Sequence, residues 1–247
     1  MALQLGSTKL DKLQVGSTRI GEGWIWHDNG WKRVYASVRP YSYFDSFDRL
    51  TDTNMAGTAY EADWILSPQR LTQPYVDAGG YFRSSLSTTD GTESHYILHR
   101  GIPQTERYQV RATCQGAMTS AAAGIVVNAN AGRTDNFLLA QFTSVANSRG
   151  LVVVGPTSAQ RVATFATSTI ANNTGLSVTC SVNESGVATY EVVNTTQNVT
   201  LCTWTDSNRL VSTAMGHRHG GLVVTGSRAL WQNSTSNNWH DFEIRDL

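Results

Sequence analysis

The chain has 247 residues, zero formal net charge and only 15% charged side chains, well under the quarter or so of an average soluble domain. Neutrality excludes the basic footprint of an electrostatic nucleic-acid binder. No apolar run approaches the ~20 residues of a membrane span, which argues against membrane insertion.

The first elements come in duplicate. LQLGSTKLDK at the start is followed by LQVGSTRIGE, each copy an apolar–polar–apolar triplet, then Gly-Ser, then Thr, a basic residue and an aliphatic one. Gly followed by a small polar residue between alternating runs predicts a two-residue hairpin with a type II′ turn, because Gly readily takes positive φ at its first position. A third hairpin is predicted where Trp24-Ile25-Trp26 and Trp31 to Tyr35 flank Asp28-Asn29-Gly30. So small a meander cannot offset its own conformational entropy. It needs burial from elsewhere, and Leu3, Leu5, Leu13, Val15, Trp24, Trp26 and Trp31 are the apolar positions expected to form an assembly surface.

All lysines (Lys9, Lys12 and Lys32) lie in this opening part, and Pro40 is the first proline. The junction is therefore expected near residue 38, with 1–38 an assembly or docking segment and 39–247 a separate sandwich domain. From Tyr41 onward the apolar residues alternate. Tyr108, Val110 and Ala112 interleave with Gln109, Arg111 and Thr113, and Leu176, Val178, Cys180 and Val182 with Ser177, Thr179 and Ser181. Short apolar runs at 123–127, 137–142 and 151–154 read as buried strands, and 187–193, 199–204, 222–225 and 241–247 add more. No stretch has a 3.6-residue period. The expected class is all-β, a two-sheet antiparallel jelly-roll sandwich.

Phe44-Asp45-Ser46-Phe47-Asp48-Arg49, with Gly57 and Trp64 following, resembles the opening of concanavalin A-like lectin and glucanase sandwiches. The ending from Trp239 to Leu247 resembles their closing strand, which pairs beside the opening one, and Gly216 to Leu222 is similar to the segment that precedes it. Separately, the doubled LGST phrase resembles the N-termini of minor tail proteins of phages that infect actinobacteria. That resemblance implies a structural virion protein of the tail tip or tail fibre, assembled in the host cytoplasm and located in the virion tail. Its implied partners are further copies of itself, a trimer above all, other tail proteins and host cell-wall glycans. The absence of a secretory leader at the N-terminus agrees with that expectation.

Glucanases of this fold are similar in carrying a Glu-x-Asp-x-(x)-Glu strand. Here Glu61-Ala62-Asp63 is followed by no second Glu, so these carboxylates are expected to be structural and no enzymatic activity is expected. His217-x-His219 has strand spacing for a metal, but no third ligand stands nearby, so neither a metal nor a cofactor is expected. His95 and His99 would share one strand face ~13 Å apart, too far for one ion. Cys180 shares an apolar face and is expected to be a buried free thiol, with a Cys180–Cys202 bridge as the alternative.

Trp204, Trp231 and Trp239 are the aromatic candidates for stacking on a sugar, and Trp231 adjoins the polar loop 232–238. His217, His219 and Trp231 are therefore the candidate ligand-binding residues. Three readings remain: a tail protein, a stand-alone glycan-binding or glycan-cleaving sandwich, and a head decoration protein. The N-terminal repeat favours the first, since a secreted lectin has no use for a meander that cannot fold alone.

Overall fold

The computed structural model describes strand backbone within residues 4–36 and whole residues over 40–67, 71–86, 89–116, 119–145, 148–165, 170–230 and 232–247. The chain divides into two compact units, Met1–Pro40 and Tyr41–Leu247. The first holds three hairpins. β1 (Gln4–Leu5) pairs with β2 (Thr8–Lys9), and β3 (Gln14–Val15) pairs with β4 (Thr18–Arg19) in the same register, Leu5 opposite Thr8 and Val15 opposite Thr18. β5 (Glu22–His27) pairs with β6 (Gly30–Ala36), Trp26 opposite Trp31. The assembly surface expected of Leu3, Leu5, Leu13, Val15, Trp24, Trp26 and Trp31 rests on side chains that lie outside the described residues.

The second unit is the expected all-β antiparallel sandwich. Its strands are β7 (Ser42–Asp45), β8 (Thr53–Asn54), β9 (Trp64–Leu66), β10 (Pro74–Val76), β11 (Phe82–Ser84), β12 (Gly91–His99), β13 (Arg107–Gln115), β14 (Ala123–Ala129) and β15 (Phe137–Phe142). They continue with β16 (Gly150–Val154), β17 (Ala159–Thr164), β18 (Thr174–Val182), β19 (Ala188–Asn194), β20 (Val199–Thr205), β21 (His219–Ala229), β22 (Gln232–Thr235) and β23 (Asn238–Asp246). One sheet runs β20-β19-β18-β13-β23-β11-β10-β8, with β7 also on β23. The other runs β17-β16-β15-β14-β21-β12-β9, with β22 also on β21. The closing strand β23 lies beside the opening strand β7, Phe242 opposite Asp45.

Alternation along β13 turns Tyr108, Val110, Ala112 and Cys114 into the interior, where β18 presents Cys180, Val178 and Leu176 in register. Burial of the Val and Leu side chains among these contributes about 1.5–3 kcal/mol each. β14 is buried along its whole length. Ile125 and Val127 join the core between the sheets, while Val126 packs with Leu98, Leu139, Val152 and Val223 in a second cluster. By strand alternation that cluster lies on the opposite face of the same sheet. This is why these strands read as continuous apolar runs. Gly221 lets β21 and β12 approach closely, since a Cβ there would sit 2.0 Å from the Ile97 carbonyl oxygen.

A carboxylate network fixes the opening strand. The buried Asp45 carboxylate accepts from the Trp64 indole (2.9 Å), the Phe47 amide (2.9 Å), the Tyr43 hydroxyl (3.1 Å) and Arg49 Nη2 (2.5 Å). Arg49 Nη1 also donates to Asp63 at 2.5 Å, and the guanidinium lies over the Tyr60 ring. Asp63 is thus held in an ion pair, and Glu61 is exposed on a 3-10 turn, Ala59–Ala62. His95 and His99 both face inward and are buried. Cys114, Cys180 and Cys202 are free thiols, each pushed up to about 12 by burial. The alternative of a Cys180–Cys202 bridge is therefore not realised.

Candidate functional site

The loops that follow β14, β16, β18 and β20 enclose an open cleft of about 820 Å³. Its walls need side chains as hydrogen-bond partners, because loop backbone has no ladder to satisfy it. Asp206, directly after β20, supplies the main anchor. It is buried, and its two carboxylate oxygens accept from the amides of Leu210 (2.9 Å) and Val211 (2.8 Å). The turn closes with the Arg209 amide on the Asp206 carbonyl, at 3.1 Å, and holds Arg209 at φ +53°.

The rest of the loop is fixed in the same way. Arg209 Nη2 donates to the Ser185 carbonyl at 2.6 Å, tying it to the loop after β18. Asn136 donates to the Leu210 carbonyl (2.9 Å), and Asn128 to that of Ser212 (3.0 Å). Asn128 is itself buried at φ +55°, and the Tyr108 hydroxyl donates to its side-chain oxygen. Arg218, also buried, donates to the carbonyls of Thr213 and Thr105 and stands 3.9 Å from the exposed Glu106 carboxylate.

Asp135 stands on the rim. One of its oxygens is 2.7 Å from His217 Nε2 and 3.1 Å from Asn130 Nδ2, so the carboxylate is oriented while its side chain stays 55% exposed. The cleft therefore offers an oriented carboxylate, guanidinium groups and amides beside the aliphatic surfaces of Pro156, Leu210 and Val211. Such a lining suits a ligand with many hydroxyl groups and some C–H surface.

The expected ligand residues separate. His217 belongs to the rim through Asp135. His219 opens β21 and is buried, and its Nδ1–H donates to the His99 carbonyl at 2.7 Å, so its role is to hold two strands together. Trp231 lies outside the described residues. Leu230, the residue before it, follows the far end of β21, about 35 Å of strand away from His219. Trp239 is fully buried, with its indole on the Val223 carbonyl, and Trp204 is half-buried. The sequence reading missed Asp135, Asn136, Asp206, Arg209 and Arg218. Asp206-Ser207-Asn208 is a turn signal that marks this loop, but nothing local joins it to Asp135. Among the described residues no group of three His, Cys, Asp or Glu side chains could hold a metal ion.

Two antiparallel sheets with a cleft between loops at one end define a two-sheet β-sandwich. No family model matches the chain, and no curated protein matches it in sequence. Among solved structures it is similar to the CBM2 module of the evolved Dit of Lactobacillus casei BL23 phage J-1. The TM-score is 0.51 at 13% identity, covering 84% of this chain and 97% of the module. Arcelin-5, a lectin-like defense protein from Phaseolus vulgaris, aligns with a TM-score of 0.44, and winged bean acidic lectin with 0.45. Both are 9% identical and cover 84% of this chain, and 98% and 99% of their own. At 13% identity the likeness to the phage module shows the fold alone.

Proposed function

We propose that this protein is a structural virion protein of a phage tail tip or tail fibre, a minor tail protein, whose sandwich binds glycans of the host cell envelope through the loop-end cleft. The cleft carries the reading. Its carboxylate, guanidinium and amide groups are fixed before any ligand arrives, and fixed groups lose less entropy on binding. The tail assignment draws support from the doubled LGST phrase and from the phage Dit module, which has this fold. Residues 1–35 join three copies into a trimer that docks on other tail proteins in the host cytoplasm. Sites of this kind are shallow, and linked copies raise the effective affinity without new contacts. Hydrolysis is not part of the function, since Asp63 is committed to Arg49 and no second Glu follows it.

The test is retention of the labelled full chain on isolated cell envelopes, with soluble envelope polysaccharide as competitor. Saturable binding, loss under competition and no release of reducing ends are expected. Binding that survives saturating polysaccharide, or release of reducing ends, would overturn the reading. Sedimentation of the same chain tests assembly, and a monomer at micromolar concentration would remove the trimer.

A further inference from the structure

A groove separate from the cleft opens where the outermost strands of the two sheets, β17 and β20, come together. It measures about 410 Å³, and its lining includes Gln160, Arg161, Val162, Trp204 and Asn208. Resting on the glycan-binding reading above, we infer that this lateral groove is a second sugar site, one that takes a pyranose carrying an anionic substituent.

Three observations lead there. Trp204 differs from the core tryptophans: Trp64 and Trp239 are fully buried, whereas Trp204 is half-buried and forms part of the groove wall. Its ring is backed by Tyr190, with centroids 5.6 Å apart and planes within 15°. A ring held flat from inside is a stacking platform whose orientation costs nothing on binding. The charge is unbalanced as well. Arg161 is exposed and forms no ion pair among the described residues. The only carboxylate among the described residues that line the groove, Asp206, is buried with both oxygens on loop amides. In a neutral protein this leaves a local guanidinium that a carboxylate or phosphate on the sugar would engage by charge-assisted hydrogen bonds. The third observation is continuity. Leu210 lines both the groove and the cleft, so one polysaccharide chain can occupy sites on either side of the same loop.

The experiment titrates the full chain with an oligogalacturonate, with its methyl ester and with inorganic phosphate, by calorimetry and tryptophan fluorescence. The acid should bind about tenfold tighter than the ester. Arg161→Gln should erase that difference without shifting the melting temperature. Trp204→Phe, which keeps an aromatic ring against Tyr190, should weaken both ligands. Equal affinities for acid and ester, or an acid preference that survives Arg161→Gln, would overturn the inference. Arg161-dependent binding of phosphate equal to that of the oligosaccharide would reduce the groove to an anion site and overturn the sugar assignment. Asp135→Ala separates this from the cleft: it should lower envelope binding and leave the acid preference intact.

Discussion

Two carboxylate networks in the sandwich use the same chemistry to opposite ends. At the opening strand, Asp45 and Asp63 receive side-chain donors from Arg49, Trp64 and Tyr43, and the network closes on itself within and beside the core. At the loop end, Asp206, Asn136, Asn128 and Arg218 bond to main-chain groups, so their polarity is spent on the shape of a loop. Asp135, on the rim, keeps a largely exposed carboxylate in an open cleft. The first arrangement gives stability and the second presents chemistry to solvent.

The comparison predicts where damage should be greatest. Asp45→Ala strands the buried Trp64 indole and the Phe47 amide, which sits at φ +55°, and leaves Arg49 with Asp63 as its remaining carboxylate. A loss of about 3–5 kcal/mol is expected in urea unfolding, and a loss below 1 kcal/mol would show that the network is dispensable.

His99, in the same region, gives the next effect. Its ring stacks on Tyr43 at 3.8 Å and meets the Tyr41 hydroxyl, with Asp63, Asp45 and His219 as the charged or titratable groups around it. Burial pushes its pKa down to about 4, against about 6.5 unfolded. The unfolded chain therefore binds a proton between these values while the folded one does not. Stability should be flat above pH 6.5 and fall by about 1–3 kcal/mol as pH drops to 4. His95, also lowered by burial, acts in the same direction. Melting temperatures at pH 7, 5.5 and 4 test this. His99→Gln should show a shallower decline, and identical slopes would contradict the assignment.

At the other network, Asp206→Ala removes two amide acceptors. It should cost about 1–2 kcal/mol and weaken glycan binding by loosening the loop shared by cleft and groove. Unchanged binding would separate the loop from recognition.

The difference between the networks also explains what could be read in the sequence. Asp45, Phe47, Arg49 and Trp64 fall within twenty residues, so their motif and the strand pairing it implies were visible. The sandwich itself followed from period-two strands such as β13 and β18. The cleft was not legible because Asn128 lies on β14, Asp135 in the connection after it, and Asp206 and Arg218 in the connection between β20 and β21, which only the topology joins. His217 and His219 looked equivalent because they are two residues apart. A 3-10 turn ends at His217, so one ring reaches the rim and the other opens the buried strand β21. Trp231 drew attention because it adjoins the polar segment 232–238, but β21 carries its neighbour Leu230 to the far end.

The central claim is that the loop-end cleft makes the envelope contact, and Asp135→Ala tests it most directly. Its side chain is largely exposed, so stability should change by no more than about 0.5 kcal/mol. Envelope binding of the full chain should fall about tenfold, as expected when charge-assisted hydrogen bonds are lost. Glu191→Ala, on β19 of the other sheet, should bind as the parent does. Equal binding by all three proteins, with melting curves superimposed, would contradict the account.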